Sequence, residues 1–553
     1  MDMLENLKDW NKILIVCWDG ATFDIINPML KAGKMPTLSK LMENGSYGRL
    51  QSTIPPITAP AWGTLLTGMN PGKHGVFWFK ELQRDENSFA VFSQPIDSSR
   101  LSGKTLLDFL SAEDYKIISH LVQMTYPAWP INGVMVSGWQ LYGHERCEKR
   151  HYPPEVASIL SGKDFISSDG RKESKIWVNL KANRDVALQL LEHNIQKCLG
   201  NALKLMGRYE WDVFITYFTD PDCVQHTYWD FMNWDSIAND YSEGDFGTAI
   251  YRIYQVLDDA LSKILEHVSD DTIVFIISDH GAQRAPHKYL FINQFLKDRG
   301  LLKMKPQGFV TSFIWRVFNN SYFPVSKGHT ILNLLTEHLV DWKQSKAYGI
   351  SFSWLTGGVY LKRGNFTNRV GSAAYDKTRE DLINNLHELR DPITEEKVIE
   401  AIWKCEELWN GPYLDNAPDI VFNLKAQYGL NFFPSGRLVD LIRRKIRGGG
   451  HSMEGIFVAS AKAKDSAIKP SNEISFIGLA DIMPTILYYL GIPIPSYVDG
   501  KVITDMFKKD FLHSKPIRFR EVTRDKGIST KRTFSEEEVK KLEERLRGLG
   551  YLD

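Results

Sequence analysis

Cysteine is scarce in this chain of 553 residues: Cys17, Cys147, Cys198, Cys223 and Cys405 are odd in number, scattered, and never spaced as CxxC. That set fits a reducing compartment rather than a disulfide framework. Long apolar runs are missing too. The stretch that comes closest, Ile474 to Pro495, is broken by Asp481, Pro484 and Pro493, short of the roughly 18 uninterrupted apolar residues of a membrane span. Net charge is absent, with 67 basic side chains against 67 acidic, so no overall field recruits nucleic acid or a membrane surface. The opening MDMLENLKDWNK mixes acids and bases and runs straight into a strand, unlike a signal or transit peptide. Internal repeats and low-complexity tracts are lacking as well. The expected setting is the cytoplasm, without a transmembrane anchor or a nucleic-acid signature.

What is present is a globular composition, 43% apolar and 24% charged. The length exceeds the roughly 250–300 residues at which single cores stop growing, so a large core with an added lobe is expected. Short Ile/Val-rich runs alternate with helical stretches: Lys12 to Cys17, Tyr115 to Leu121, Asp212 to Phe218, Thr272 to Ile277 and Ile456 to Ser460. Buried strands separated by helices predict an α/β fold with a doubly wound, mostly parallel sheet flanked by helices. The expected division is a core over 1–306 and 413–505, an inserted small α+β subdomain over 307–412, and a C-terminal extension over 506–553. In that extension Ser535-Glu536-Glu537-Glu538 reads as a capping box opening a helix.

Five pieces carry the chemistry. Asp19-Gly20 follows the first strand, where a carboxylate projects from the sheet's carboxyl edge as a ligand for a hard cation, or caps a turn. Thr58 stands at or near the N-cap of a helix whose Pro60 suits only the first turn; unaided, its hydroxyl is a poor nucleophile. Asp222 and His226, four apart after the strand ending at Phe218, share one helical face and are preferred to Asp220 and Asp230 for that reason. Ser278-Asp279-His280-Gly281 ends another strand, with Gly281 permitting a sharp turn that lets adjacent Asp and His chelate one ion. Gly448-Gly449-Gly450-His451 brings an imidazole on a glycine-rich loop that otherwise reads as a linker.

Together these pieces resemble the alkaline phosphatase superfamily, in its type I phosphodiesterase and nucleotide pyrophosphatase branch, which includes microbial phosphohydrolases and phosphomutases. The resemblance runs from about Lys12 to Lys501. It rests on Asp19-Gly20, the T-x-P-x-x-x-T-x-x-T-G stretch from Thr58 to Gly68, Pro71-Gly72-Lys73-His74-Gly75, Pro221-Asp222 with His226, Ser278 to Gly281, and Gly450-His451. It implies one divalent ion held by Asp19, Asp279, His280 and Thr58, and a second held by Asp222, His226 and His451. Zinc suits such Asp/His sets, and manganese remains open. It further implies a hydrolase in which Thr58 attacks a small phosphoester and forms a phosphothreonine intermediate. A phosphomonoesterase, a phosphomutase and a silent binding scaffold stand as alternatives. One departure concerns an asparagine that holds a phosphoryl oxygen in nucleotide pyrophosphatases of this group: the aligned position here is Phe79.

Overall fold

The computed structural model describes residues 12–84, 89, 91–101, 103–138, 149–160, 184–237, 245–308, 310, 312–314, 336, 338–362, 373–441, 448–461 and 466–522. The expected helix after Ser535 and the basic run Arg443 to Arg447 lie outside them. The strands used below are β1 (Ile13–Trp18), β2 (Gly45–Gln51), β3 (Ile117–His120), β4 (Gly133–Val136), β5 (His151–Tyr152), β6 (Val213–Phe218), β7 (Ile273–Ile277), β8 (Gly281–Arg284), β9 (Ala347–Ser351), β10 (Thr356–Leu361), β11 (Ile399–Lys404), β12 (Ile420–Leu424), β13 (Gly449–Ser452), β14 (Glu454–Ala461), β15 (Asn472–Glu473) and β16 (Ile477–Gly478). The helices are α1 (Phe23–Lys31), α2 (Thr58–Thr67), α3 (Arg184–Arg208), α4 (Asp220–Tyr228), α5 (Ala249–Leu265), α6 (Ala373–His387) and α7 (Ile482–Leu490).

The fold is α/β: a ten-stranded mixed sheet in the order β15-β2-β14-β7-β1-β6-β3-β4-β5, with β16 also on β2. β1 pairs in parallel with both β6 and β7. Every residue of these three strands is buried, which explains why each reads as a continuous apolar run rather than an alternating one. β14 departs from the parallel pattern, running antiparallel between β7 and β2. Helices flank the sheet, α3 and α4 packing on α5, and α7 on α2. Among the described residues no helix is long and apolar enough to cross a membrane.

A second sheet, antiparallel in the order β9-β10-β12-β11, stands apart from the first. β12 belongs to it, so the strand at Ile420, which the sequence suggested as a return to the core, extends this sheet past Pro412. The fully buried Asp419, just before β12, fastens it to the chain that follows α2. Its carboxylate accepts from the Arg84 guanidinium, from Tyr375 Oη at 2.6 Å and from the Leu361 N–H at 2.6 Å. Removing one partner of a buried pair strands the other charge at a cost of about 3–5 kcal/mol. Asp419→Ala is therefore expected to lower the thermal midpoint by several degrees, read by calorimetry, while metal content stays intact.

Candidate active site

Three adjacent strands deliver three carboxylates to one edge of the central sheet. Asp19 follows β1, Asp222 lies in the first turn of α4 just beyond β6, and Asp279 follows β7, all at the carboxyl ends where open α/β sheets form crevices. Gly20 adopts φ +63° and so supplies the left-handed turn after Asp19. Thr58 is the first residue of α2, whose cap is Ile57, and its hydroxyl lies 3.5 Å from His280 Nε2. The side chain is thus one position inside the helix and is not consumed as a structural cap.

Two expectations about glycine change. The segment carrying His451 is not a loop: β13 pairs antiparallel with β8, with Ala282 opposite His451 and Gly281 opposite Ser452. The glycines are there for close approach. A Cβ on Gly448 would stand 1.5 Å from the His226 carbonyl oxygen, one on Gly449 2.9 Å from the Gln225 carbonyl oxygen, and one on Gly450 2.4 Å from the Trp354 ring. Gly281 likewise lies within β8 rather than at a left-handed turn, and a Cβ there would meet the Glu454 carbonyl oxygen at 1.9 Å. The ladder brings the His280 and His451 rings into a stack, centroids 3.7 Å apart.

The side chains fall into two adjoining groups. In one, His280 Nε2 stands 3.5 Å from Thr58 Oγ1, 3.5 Å from Asp19 Oδ1 and 3.6 Å from Asp279 Oδ2. In the other, Asp222 Oδ1 lies 3.2 Å from His226 Nε2 and 3.4 Å from His451 Nε2, and the two imidazole nitrogens are 3.2 Å apart. Ligand atoms around a tetrahedral ion at about 2.0–2.2 Å are about 3.3–3.6 Å from one another; the first group's distances fall in that range and the second group's, 3.2–3.4 Å, lie at its lower edge. His280 also lies within 4.8 Å of the ligand atoms of Asp222 and His451, so it borders both.

The rings are oriented for the same purpose. Nδ1 of His226 donates to the Gly449 carbonyl at 2.9 Å, that of His280 to Gly281 at 3.0 Å, and that of His451 to Pro56 at 2.8 Å. Each neutral ring therefore turns the lone pair of Nε2 inward, the arrangement that outer partners impose on metal-binding histidines. Asp19 Oδ1 and Asp279 Oδ2 are buried without a hydrogen-bond partner. Burial, then the charges of Asp279 and Asp222, pushes the Asp19 carboxyl well above its usual range. Burial also acts to raise Asp222, but His226 and His451 outweigh it and hold that carboxyl well below. The His451 imidazole is pushed down to about 4, first by burial and then by His280. Unpartnered carboxylate oxygens beside inward lone pairs are a costly arrangement without a cation and a suitable one with it. The donor set thus fits two divalent ions.

The sequence model for type I phosphodiesterase / nucleotide pyrophosphatase matches residues 13–430. The chain belongs to this family. It is a phosphoester hydrolase. Among solved structures it resembles phosphonoacetate hydrolase from Sinorhizobium meliloti 1021 bound to phosphonoformate, at 15% identity and a TM-score of 0.48 over 86% of this chain and 95% of that one. It also resembles human ectonucleotide pyrophosphatase / phosphodiesterase 5, at 13% identity and a TM-score of 0.49 over 90% and 100%. No curated protein matches it.

In this phosphodiesterase-family chain several supporting residues escape sequence reasoning. Tyr217, inside the apolar run of β6, donates its hydroxyl to Asp19 Oδ2, which Thr219 Oγ1 also reaches at 3.4 Å. Gln225 Nε2 donates to the Gly20 carbonyl at 3.0 Å, and Ser52 Oγ to that of Asp279 at 2.6 Å. The competing carboxylates are engaged elsewhere: Asp220 accepts from Asn194 at 2.8 Å, and Asp230 from Arg284 at 3.2 Å. Phe79 is buried, with its ring against that of Trp78.

His74, from the Pro71–Gly75 stretch, is a support rather than a ligand. Its Nδ1 accepts the Val76 N–H at 3.1 Å, Nε2 lies 3.1 Å from Thr64 Oγ1, and its ring sits against Gly63 of α2. Burial lowers its pKa to about 3. In the unfolded chain the ring takes a proton near pH 6.5, so between pH 6.5 and about 3 the unfolded state holds more protons and stability falls as pH falls. Over that window His74→Gln is expected to flatten the stability-against-pH slope by about 1.4 kcal/mol per pH unit, measured by denaturant unfolding from pH 5.5 to 4.

Proposed function

We propose that this protein is a two-metal phosphodiesterase working through a phosphothreonine intermediate. Asp19, Asp279, His280 and Thr58 would hold one ion, and Asp222, His226 and His451 the other. When bound, the pair supplies Lewis-acid neutralisation of phosphoryl charge and acidifies the threonine hydroxyl and water. Thr58 Oγ1 gives up its proton to solvent and attacks phosphorus in line, a P–O bond forms as the bond to the leaving oxygen breaks, and the alcohol departs with a proton from solvent. Water then displaces Thr58 Oγ1 from phosphorus and regenerates the hydroxyl. The amino end of α2 at Thr58 adds the positive pole of its dipole beside the phosphoryl oxygens.

The observation that carries this reading is the pair of unpartnered carboxylate oxygens facing His280 Nε2 next to an uncapped threonine. A diester is favoured over a monoester because a terminal phosphate needs extra cations around it, and two cations near the site motifs are spoken for. Arg284 reaches Asp230 at 3.2 Å, and Lys288 reaches Asp391 at 2.6 Å. Zinc is the proposed metal, since Asp and His donors suit it. The described cysteines are buried and form no disulfide with one another, which supports the cytoplasmic setting. Turnover of bis(p-nitrophenyl) phosphate against p-nitrophenyl phosphate tests the assignment; a strong preference for the monoester overturns it.

A further inference from the structure

Each carboxylate of the Thr58 group has one oxygen engaged by the protein and one left bare. Asp279 Oδ1 accepts the N–H groups of Gly20 at 3.3 Å and His280 at 3.1 Å, and its Oδ2 has no partner. Asp19 Oδ2 accepts from Tyr217 Oη and, at 3.4 Å, from Thr219 Oγ1, while its Oδ1 has no partner. The two devices differ in kind. Backbone N–H groups hold Asp279, whereas side-chain hydroxyls hold Asp19, with Thr219 at the long limit of a hydrogen bond. Tyr217 is also fixed in place. It stands opposite Cys17 in the β1–β6 pairing, and the Asp19 N–H donates to the Phe218 carbonyl at 3.0 Å, so one strand pair sets both ends of the contact. Its ring is buried and meets Trp62 edge to face, centroids 5.4 Å apart at 80°. Trp62 lies four residues after Thr58, one turn along the same helix. The hydroxyl therefore sits at the end of a rigid ring packed on the helix that carries Thr58.

A carboxylate can give an ion one oxygen or both. With Asp19 Oδ2 and Asp279 Oδ1 engaged, this group offers Asp19 Oδ1, Asp279 Oδ2, His280 Nε2 and Thr58 Oγ1, one donor from each residue. Such a set matches the tetrahedral preference of zinc, whereas manganese favours octahedral, oxygen-rich sites. Resting on the two-metal reading above, we infer that Tyr217 is a positioning residue that sets metal selectivity: by occupying Asp19 Oδ2 it holds Asp19 to a single donor oxygen, and so favours zinc over manganese at the Thr58 site.

Tyr217→Phe keeps the ring and deletes the hydroxyl, which frees Asp19 Oδ2 for a second contact and suits the ion that takes more donors. Metal-depleted full-length protein is titrated with Zn2+ and with Mn2+ against a competing chelator, and the dissociation constant of each of the two equivalents is read. In the variant the ratio of the manganese constant to the zinc constant is expected to fall roughly tenfold for one equivalent, the lower end of what outer partners of metal ligands contribute. The other equivalent keeps its wild-type ratio. Thr219→Val deletes the remaining donor to the same oxygen and shifts the ratio in the same direction; it decides the matter if Tyr217→Phe does not fold. A merely structural hydroxyl would weaken both ions alike, so an unchanged ratio overturns the inference alone. Wild-type protein that binds neither ion overturns the two-metal reading and this inference with it.

Discussion

Thr58→Ala is expected to lower kcat on a phosphodiester by roughly a thousandfold or more, the scale seen when a nucleophile that acts as part of a unit is removed. The cap of α2 is Ile57 rather than Thr58, and the hydroxyl's contact is a long 3.5 Å approach to His280 Nε2, so little fold stability should be lost. Asp19, Asp279 and His280 retain their supports from Tyr217, Thr219, Ser52 and Gly281, and metal content should stay close to that of wild type. Thr58→Ser keeps a hydroxyl at the same atom and should retain measurable turnover. Acid-quenched wild-type enzyme should carry phosphate on Thr58. A Thr58→Ala protein with wild-type kcat would remove the nucleophile from the mechanism.

The second large effect is at Asp222. Its Oδ1 is the common neighbour of His226 Nε2 and His451 Nε2, and it is the carboxylate of that group. Outer partners of metal ligands already contribute about 10- to 100-fold; Asp222→Asn, which removes a ligand charge, is expected to cost at least that upper figure in activity. The protein should lose about one of two metal equivalents on dialysis, read by elemental analysis. Chelation of wild-type enzyme should abolish turnover, with recovery on adding zinc or manganese. It should also lower the thermal midpoint, because saturation at a thousand times Kd stabilises by about 4 kcal/mol. Full metal content and activity in Asp222→Asn would refute the second site.

Much of the architecture was legible because the relevant signals are local. The five strand runs are each short, apolar and β-branched, and all five form strands within a residue or two of their expected limits, since full burial writes itself as uninterrupted hydrophobicity. Asp222 and His226 were readable as a pair because four residues make one helical turn. The glycine-rich approach to His451 was misread as a loop, for its pairing partner Ala282 is 169 residues earlier and no local pattern encodes that register. Tyr217 was hidden in an apolar strand where an aromatic ring is expected anyway. Its hydroxyl acquires a role only once β1 and β6 lie side by side and Asp19 stands at the neighbouring strand's end. The placement of Ile420 in the second sheet is of the same kind, a choice between two hydrophobic partners that composition does not distinguish.

The antiparallel insertion of β14 between β7 and β2 bears on how the enzyme is made. A nascent chain that has not yet reached Gly449 cannot close the gap in its main sheet, and it has no His451 to stack on His280. The histidine cluster is complete only once Gly449–Ser452 has been made and has paired with β8. On the proposed two-metal mechanism, chains that stop short of His451 lack a ligand and are expected neither to bind the second ion nor to cleave a phosphoester.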